Sequence, residues 1–305
     1  MVKRTNANSF ALKKWVLPYK NIAAVCNGKG LVDIVEHSNC WGGACWAEYH
    51  YKLASPLIQS TSCYGDSVRY RVKEGESELN LIPSVAAAGI ESVIVDDQTV
   101  SVTYAGLGGG GVGATMSRSL AEDVIEYDFT EAGGGKKSRG TIVLPRRSRV
   151  LIGVDDTDTK EEGATWSLVH NIATDLDCRN ARYLSHALVQ LCPVPYKTQN
   201  CVSTVVEFAC IDTEPLIKDF ERLLRKYTLS ENTGMAVFRS FSADVLKDYA
   251  SLAKDKMLSL ETAEDAASKA GVELVIPGRG IIGAMASLPY FAQPHESVKL
   301  DKKTG

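Results

Sequence analysis

The stretch SRVLIGVDDTDTKEEGATW, residues 148–166, sets three carboxylates at the end of an apolar run. The run RVLIGV has the length and β-branched content of a buried strand, and from Gly163 onward Trp166, Val169, Ala173 and Leu176 recur at helical spacing. Asp155, Asp156 and Asp158 therefore stand in a strand-to-helix loop. Like charges this close cost free energy unless something positive sits among them. In such a loop Asp156 and Asp158 project to one side, while Asp155 points to the other or receives backbone hydrogen bonds. Mg²⁺ suits this set, because it takes one or two protein carboxylates and completes its shell with water and phosphate oxygens. The alternative is turn chemistry, with Asp156, Thr157 or Asp158 capping the following helix.

Downstream, VSTVVEFACI (202–211), MAVFRS (235–240) and VELVIP (272–277) read as strands, and 243–270 as mostly helical. Leu216, Ile217, Phe220, Leu223, Leu224 and Tyr227 form a helical stripe with Glu221 and Arg225 one turn apart outside it. This alternation predicts a layered α/β (mixed α+β) arrangement. In the first half, ESVIVDD (91–97) and TVSVTYAG (99–106) read as neighbouring strands and TMSRSLAEDVI (115–125) as a helix. The glycine-rich, basic segment TEAGGGKKSRGTIVLPRRSR, residues 130–149, reads as a junction between two domains, 1–140 and 141–305.

Two glycine clusters follow strands. Gly278, Gly280 and Gly283 have G-x-G-x-x-G spacing, but the chain after Ala284 has no room for the strand and acid that a dinucleotide fold requires. A nest of backbone N–H groups with Arg279 still suits a phosphate chain, and a tight turn with close helix packing is the alternative. In TYAGLGGGGVGATMSRSL, Gly108, Gly110 and Gly113 stand between strand and helix, with Asp128 about 20 residues beyond Gly108, as the dinucleotide fingerprint asks. A mobile loop or lid explains the same glycines. Between these clusters, Pro193 and Pro195 stiffen the approach to Tyr196, Lys197, Thr198 and Asn200, which display a cation, a hydroxyl and an amide before a strand. Lys197 pairs with a phosphate or is a solvated turn lysine.

The chain has 305 residues, 45% of them hydrophobic, with 34 basic and 37 acidic side chains for a net charge of −3. That balance argues against broad coating of nucleic acid, though not against a local basic groove. Lys13 and Lys14 interrupt any apolar core of a signal peptide, and no run of about 18 apolar residues is present to span a bilayer. A cytoplasmic protein with no membrane partner is expected, ending in the solvated tail KLDKKTG. Its eight dispersed cysteines read as free thiols. Cys40 and Cys45 lack zinc-knuckle spacing, so a metal there is weaker than buried thiols among aromatics. P-loop, protein-kinase, G-x-S-x-G and H-E-x-x-H motifs are absent.

Four blocks in order, GVDDTDT, CPVPYKTQN, ENTGMAVF and GRGIIGAMASL, resemble the ATP-dependent kinase-like domain of archaeal tRNA-Ile agmatinylcytidine synthetase across residues 149–288. The resemblance implies ATP and Mg²⁺ at Asp155, Asp156 and Asp158, with phosphorylation of an oxygen. It makes Lys197, Thr198 and the Gly278–Gly283 loop nucleotide contacts. Departures fall at Cys192, where that family has asparagine, at Gln199–Cys201, and at Gly163–Trp166. The family's further tRNA-binding parts have no counterpart in the sequence, so tRNA is not the expected partner and stands only as an alternative. The whole chain also looks like the methanogenesis marker protein 11 family of methane-producing archaea, which implies an anaerobic cytoplasm.

The expected function is ATP- and Mg²⁺-dependent phosphoryl transfer to an unknown acceptor, with Asp156 and Asp158 on the metal, Asp155 fixing it or orienting the attacking oxygen, and the first domain choosing the acceptor. Two alternatives stand beside it. One is a non-catalytic ATP-binding assembly factor for a methanogenesis enzyme such as methyl-coenzyme M reductase. The other is an RNA-modification enzyme, favoured only by the basic residues between Lys136 and Arg149.

Overall fold

The apolar run before the acids is the end of a 19-residue strand, Lys137–Asp155. It comes from a computed structural model that describes residues 13–300. The N-terminal residues 1–12 and the last five of the polar tail lie outside the described residues, as does any bearing they have on a leader sequence. The chain divides into two units, Met1–Arg147 and Ser148–Gly305.

In the first unit the strands are β1 (Asn21–Cys26), β2 (Leu31–His37), β3 (Ile58–Tyr64), β4 (Ser67–Lys73), β5 (Gly75–Glu76), β6 (Ala88–Val95), β7 (Thr99–Leu107), β8 (Glu126–Phe129) and the first part of β9 (Lys137–Asp155). They pair in the order β3-β4-β2-β1-β9-β7-β6-β5, with β8 also on β9. Neighbours are antiparallel except β1 and β9, which run parallel at Ala24–Val25 against Arg146–Arg147. Pro145 falls between the β8 and β1 ladders, where a residue without an N–H breaks no bond. Helix α1 (Trp41–Ala54) is capped by Cys40, whose Sγ accepts the Gly43 N–H.

The glycine-rich, basic segment read as a domain junction is mostly strand. Four of its basic side chains are paired: Arg147 meets Asp123 at 3.2 Å, Arg149 meets Glu207 at 2.7 Å, and Arg139 and Lys136 pair with Glu91 and Glu131. The helix expected at 115–125 also moves. Helix α2 (Gly108–Val112) begins at the first of the clustered glycines and runs into a π-helical turn, Gly113–Ser117. Close packing explains the glycines: a Cβ on Gly106 would lie 2.6 Å from the Gly110 carbonyl, and one on Gly110 would lie 2.8 Å from the Trp46 ring. The cluster is thus helix, not a loop, and Asp128 stands exposed on β8.

The second unit builds a wholly antiparallel sheet from the end of β9 with β10 (Ala181–Gln190), β11 (Val202–Cys210), β12 (Gly234–Phe238) and β13 (Glu273–Pro277), in the order β10-β11-β9-β12-β13. Alternation along β9 divides two cores. Val150, Ile152 and Val154 join the layer of α3 (Thr165–Asp175) and α4 (Glu214–Tyr227). Leu151 joins that of α5 (Lys247–Asp255), α6 (Leu260–Ala270) and α7 (Ile281–Ser287). A short α8 (Pro294–Ser297) follows. The mixed α+β layering agrees with expectation, although its sheet is antiparallel. The helical stretch from 243 breaks near Lys256, and Ser259 caps α6 by accepting the Thr262 N–H. No helix among the described residues is long and apolar enough to cross a membrane.

Candidate functional site

Strand β9 ends at Asp155, and its two neighbours deliver the rest of the site. Gly234 on β12 lies opposite Asp155, and β11 enters from Cys201. Helix α7 can reach this point only because its contacts are bare backbone. A Cβ at Gly153 would overlap the Ala284 carbonyl, one at Gly234 would overlap the Ile281 nitrogen, and one at Gly280 would lie 2.5 Å from the Asp155 carbonyl. A Cβ on Gly283 would overlap the Asp155 carboxylate itself. The G-x-G-x-x-G spacing thus serves close helix-to-sheet approach, and Gly278 is pressed against the Asn232 and Thr233 carbonyls for the same reason.

The acids take three different environments. Asp155 Oδ1 accepts the Asp156 backbone N–H at 2.9 Å, and burial, reinforced by Asp156, pushes its carboxyl well above the ordinary range. Asp156 sits at φ +56°, a left-handed conformation uncommon for a side chain with a Cβ, and Thr233 Oγ1 donates to its carbonyl at 3.0 Å. Burial raises Asp156 as well, opposed by Arg279, whose Nη2 stands 3.5 Å from Oδ2. Asp158 is held from both sides, by Thr165 at 3.1 Å and Thr198 at 3.3 Å. None of the acids caps α3, whose N-cap is Ala164 with no side-chain bond.

Asp155, Asp156, Asp158, Lys197, Thr198, Asn200, Arg279 and Gly283 all line one cavity of about 620 Å³. Its volume lies within the roughly 300–1,000 Å³ usual for small-molecule sites. Lys197 Nζ donates to the Gln199 carbonyl at 2.8 Å, and Arg279 lies over the Tyr196 ring at 4.5 Å. Gly108, Gly110 and Gly113 belong to the first unit and are absent from this lining. Trp166, expected on the buried stripe of α3, is 49% exposed and faces the cavity. Sequence reasoning passes over Thr165 and Thr233, since a lone threonine carries no signal until its partners are known. It also passes over Met257, Leu258 and Leu260, apolar residues of the cavity lining at the α5–α6 connection and the start of α6.

Cys40 and Cys45 do not converge: Cys40 caps α1, while Cys45 Sγ lies 3.8 Å from Cys63 Sγ. Among the described residues no three His, Cys, Asp or Glu side chains gather as a metal cluster.

A family model described as the TiaS TCKD domain matches residues 151–213, which span the end of β9, the acidic loop, α3, β10 and β11. TiaS of Pyrococcus horikoshii, a 2-agmatinylcytidine synthetase acting on an isoleucine tRNA, is 30% identical over 148 residues, 46% of this chain and 35% of that enzyme. A crystal structure of TiaS in complex with that tRNA and ATP aligns with a TM-score of 0.45 at 23% identity, over 51% of this chain and 37% of that one. The uncharacterized protein MJ0921 of Methanocaldococcus jannaschii is 42% identical over 279 residues, covering 88% of this chain and 93% of the relative. The chain belongs to the MJ0921 family. In this member of the family the residues matched by the TiaS TCKD model lie within the second unit, and the chain aligns with about a third of the Pyrococcus enzyme's length.

The raised acids make the stability of this MJ0921-family protein depend on pH. A carboxyl whose folded pKa exceeds its unfolded value favours the folded state fully at pH below the unfolded value, and that contribution is lost as pH rises through the folded one. Urea unfolding of the ligand-free protein should therefore give a midpoint that falls as pH climbs above about 4. Asp155→Asn keeps the acceptor for the Asp156 N–H and removes the titration, so its profile should be flatter. An unchanged slope would show that Asp155 ionises normally.

Proposed function

We propose that the second unit binds Mg²⁺ with ATP and transfers the terminal phosphoryl group to an oxygen of a separate acceptor. The observation that carries this reading is the meeting of three acids, Arg279, Lys197, Thr198 and the glycine-cleared start of α7 around one cavity. The donor set fits the metal: Asp156 and Asp158 are partly exposed carboxylates, and Asp158 holds two neutral hydroxyl donors and no ion pair among the described residues. Two carboxylates suit an ion that finishes its shell with water and phosphate. Asp156 and Asp158 would hold it, where it would supply Lewis-acid neutralisation of phosphate charge.

The chain's own groups perform the remaining tasks. Arg279, stacked on Tyr196, and Lys197, held at the Gln199 carbonyl, are cations of the lining that would neutralise phosphate charge. Asp155, whose carboxyl burial pushes above the ordinary range, accepts the Asp156 backbone N–H and so orients the turn that carries the other two acids. Trp166, Met257, Leu258 and Leu260 supply apolar lining to the same cavity. ATP as the triphosphate, and the methanogenic setting of the acceptor, follow the sequence resemblance stated above.

Calorimetric titration of ATP with and without Mg²⁺ tests the reading on wild type and on Asp156→Asn/Asp158→Asn. Wild type should bind only with the metal, and the double variant should be weaker by at least about a hundredfold. Equal affinity of the two proteins would sink the assignment. Phosphate release stimulated by a small-molecule fraction of cell extract supports transfer, and release stimulated by RNA makes RNA the acceptor. Tight binding without turnover in any fraction replaces transfer with a nucleotide-gated assembly role.

A further inference from the structure

The first unit contains its own cavity, of about 1640 Å³, which the phosphoryl-transfer reading does not use. Its lining combines aromatic faces with a few buried polar groups, Ser38, His50, Ser117 and the ion-paired Arg118. Trp46, 40% exposed, stacks on His50 with ring centroids 4.0 Å apart and planes 29° from parallel. His50 is only 6% exposed. Its Nδ1 faces the Ala87 backbone N–H at 3.1 Å, and since an amide N–H only donates, Nδ1 must be the acceptor. The proton then resides on Nε2, a donor with no partner among the described residues, on a side chain that lines the cavity. Burial lowers the imidazole pKa, which keeps the ring neutral and this tautomer in place.

The remaining walls suit a flat ligand. Gly110 of α2 presents bare backbone to the edge of Trp46, so the indole packs flush on the glycine helix. Trp15, Tyr19 and Phe129 contribute further rings. Charges on the lining are largely neutralised: Arg118 is paired with Glu36, and Lys136 with Glu131. The site therefore asks for planarity and a hydrogen-bond acceptor more than for net charge.

We propose that this cavity binds a planar, conjugated heteroaromatic molecule, stacked beside Trp46 and accepting a hydrogen bond from His50 Nε2. The volume exceeds the roughly 300–1,000 Å³ of ordinary small-molecule pockets and admits several fused rings. The inference does not rest on the nucleotide reading of the second unit.

Lumichrome, a neutral fused heteroaromatic with carbonyl acceptors, is the probe, and sucrose is a non-planar control. Binding to the full chain is followed through the anisotropy of the probe's own fluorescence, which survives loss of a tryptophan. Saturable lumichrome binding is expected, with no competition by sucrose. Trp46→Ala and His50→Phe should each weaken it by at least about tenfold. His50→Phe retains a ring of similar size, and thermal melting of each variant checks the fold. Asp156→Asn/Asp158→Asn should bind the probe as wild type does, which separates this site from the acid cavity. The proposal is overturned if lumichrome shows no saturation up to about 1 mM, or if folded Trp46→Ala and His50→Phe both bind it with wild-type affinity.

Discussion

Alanine at Gly153 or Gly234 should cost the second unit at least the ~1–3 kcal/mol typical of overpacking, and abolish ATP binding with it. Both glycines face the backbone of the α7 segment, where the new methyl would overlap the Ala284 carbonyl or the Ile281 nitrogen. Backbone pinned by its own hydrogen bonds cannot turn aside as a flexible side chain can. Helix α7 must lift from β9 and β12, and Arg279 and Gly283 leave the acids together. Urea denaturation and a nucleotide titration measure the two effects. Gly42→Ala is the control: it lies in α1 with open space where its Cβ would be, so alanine should be neutral or stabilising there. Equal behaviour of all three variants would mean that α7 is not held by close approach.

Arg118→Ala should destabilise the first unit by about 3–5 kcal/mol, the usual cost of stranding a buried charge. Arg118 is 1% exposed, and its Nε and Nη2 grip both oxygens of Glu36 at 2.8 and 2.7 Å. Nη1 donates to the Tyr51 hydroxyl and the Gly113 carbonyl, both at 2.8 Å, and the guanidinium lies over the Tyr19, Tyr51 and Tyr104 rings at 4.5–4.7 Å. Removing the cation leaves the Glu36 carboxylate with no counter-charge in an apolar core. Arg118→Met combined with Glu36→Gln should recover much of the loss, because most of the penalty belongs to the orphaned charge rather than to the pair. A double-mutant cycle of thermal unfolding midpoints reads this directly. A double variant as unstable as Arg118→Ala would locate the cost in lost packing with the three tyrosines instead.

Legibility in the sequence follows how local the cause is. The end of β9 and strands β11, β12 and β13 are readable because each is a short apolar run bounded by polar or glycine residues. The α4 stripe is readable because Leu216, Ile217, Phe220 and Leu224 bury one face, while Arg225 meets Glu221 at 2.8 Å outside it. Strand β10 escapes such reading, since ARYLSHALVQ carries histidine, serine and arginine on a half-covered face. Trp166 is misplaced by it because helical spacing alone cannot tell a core from a cavity wall. The basic segment up to Arg149 has the look of a linker because the partners of Arg139, Arg147 and Arg149, which are Glu91, Asp123 and Glu207, are distant in sequence.

The order of residues is enough to say which chemistry is available: three acids after a strand, a proline-stiffened lysine and threonine, and a glycine loop carrying Arg279. Strand and helix periods are local, so most of the elements carrying these groups are written there too. Folding in three dimensions was needed to bring the groups into one cavity, to press Asp155 against Gly283 while two threonines hold Asp158, and to wind the clustered glycines of the first unit into a helix beside Trp46. Those outcomes depend on which backbones approach closely enough to exclude a methyl group, a property of pairs of segments far apart in the chain.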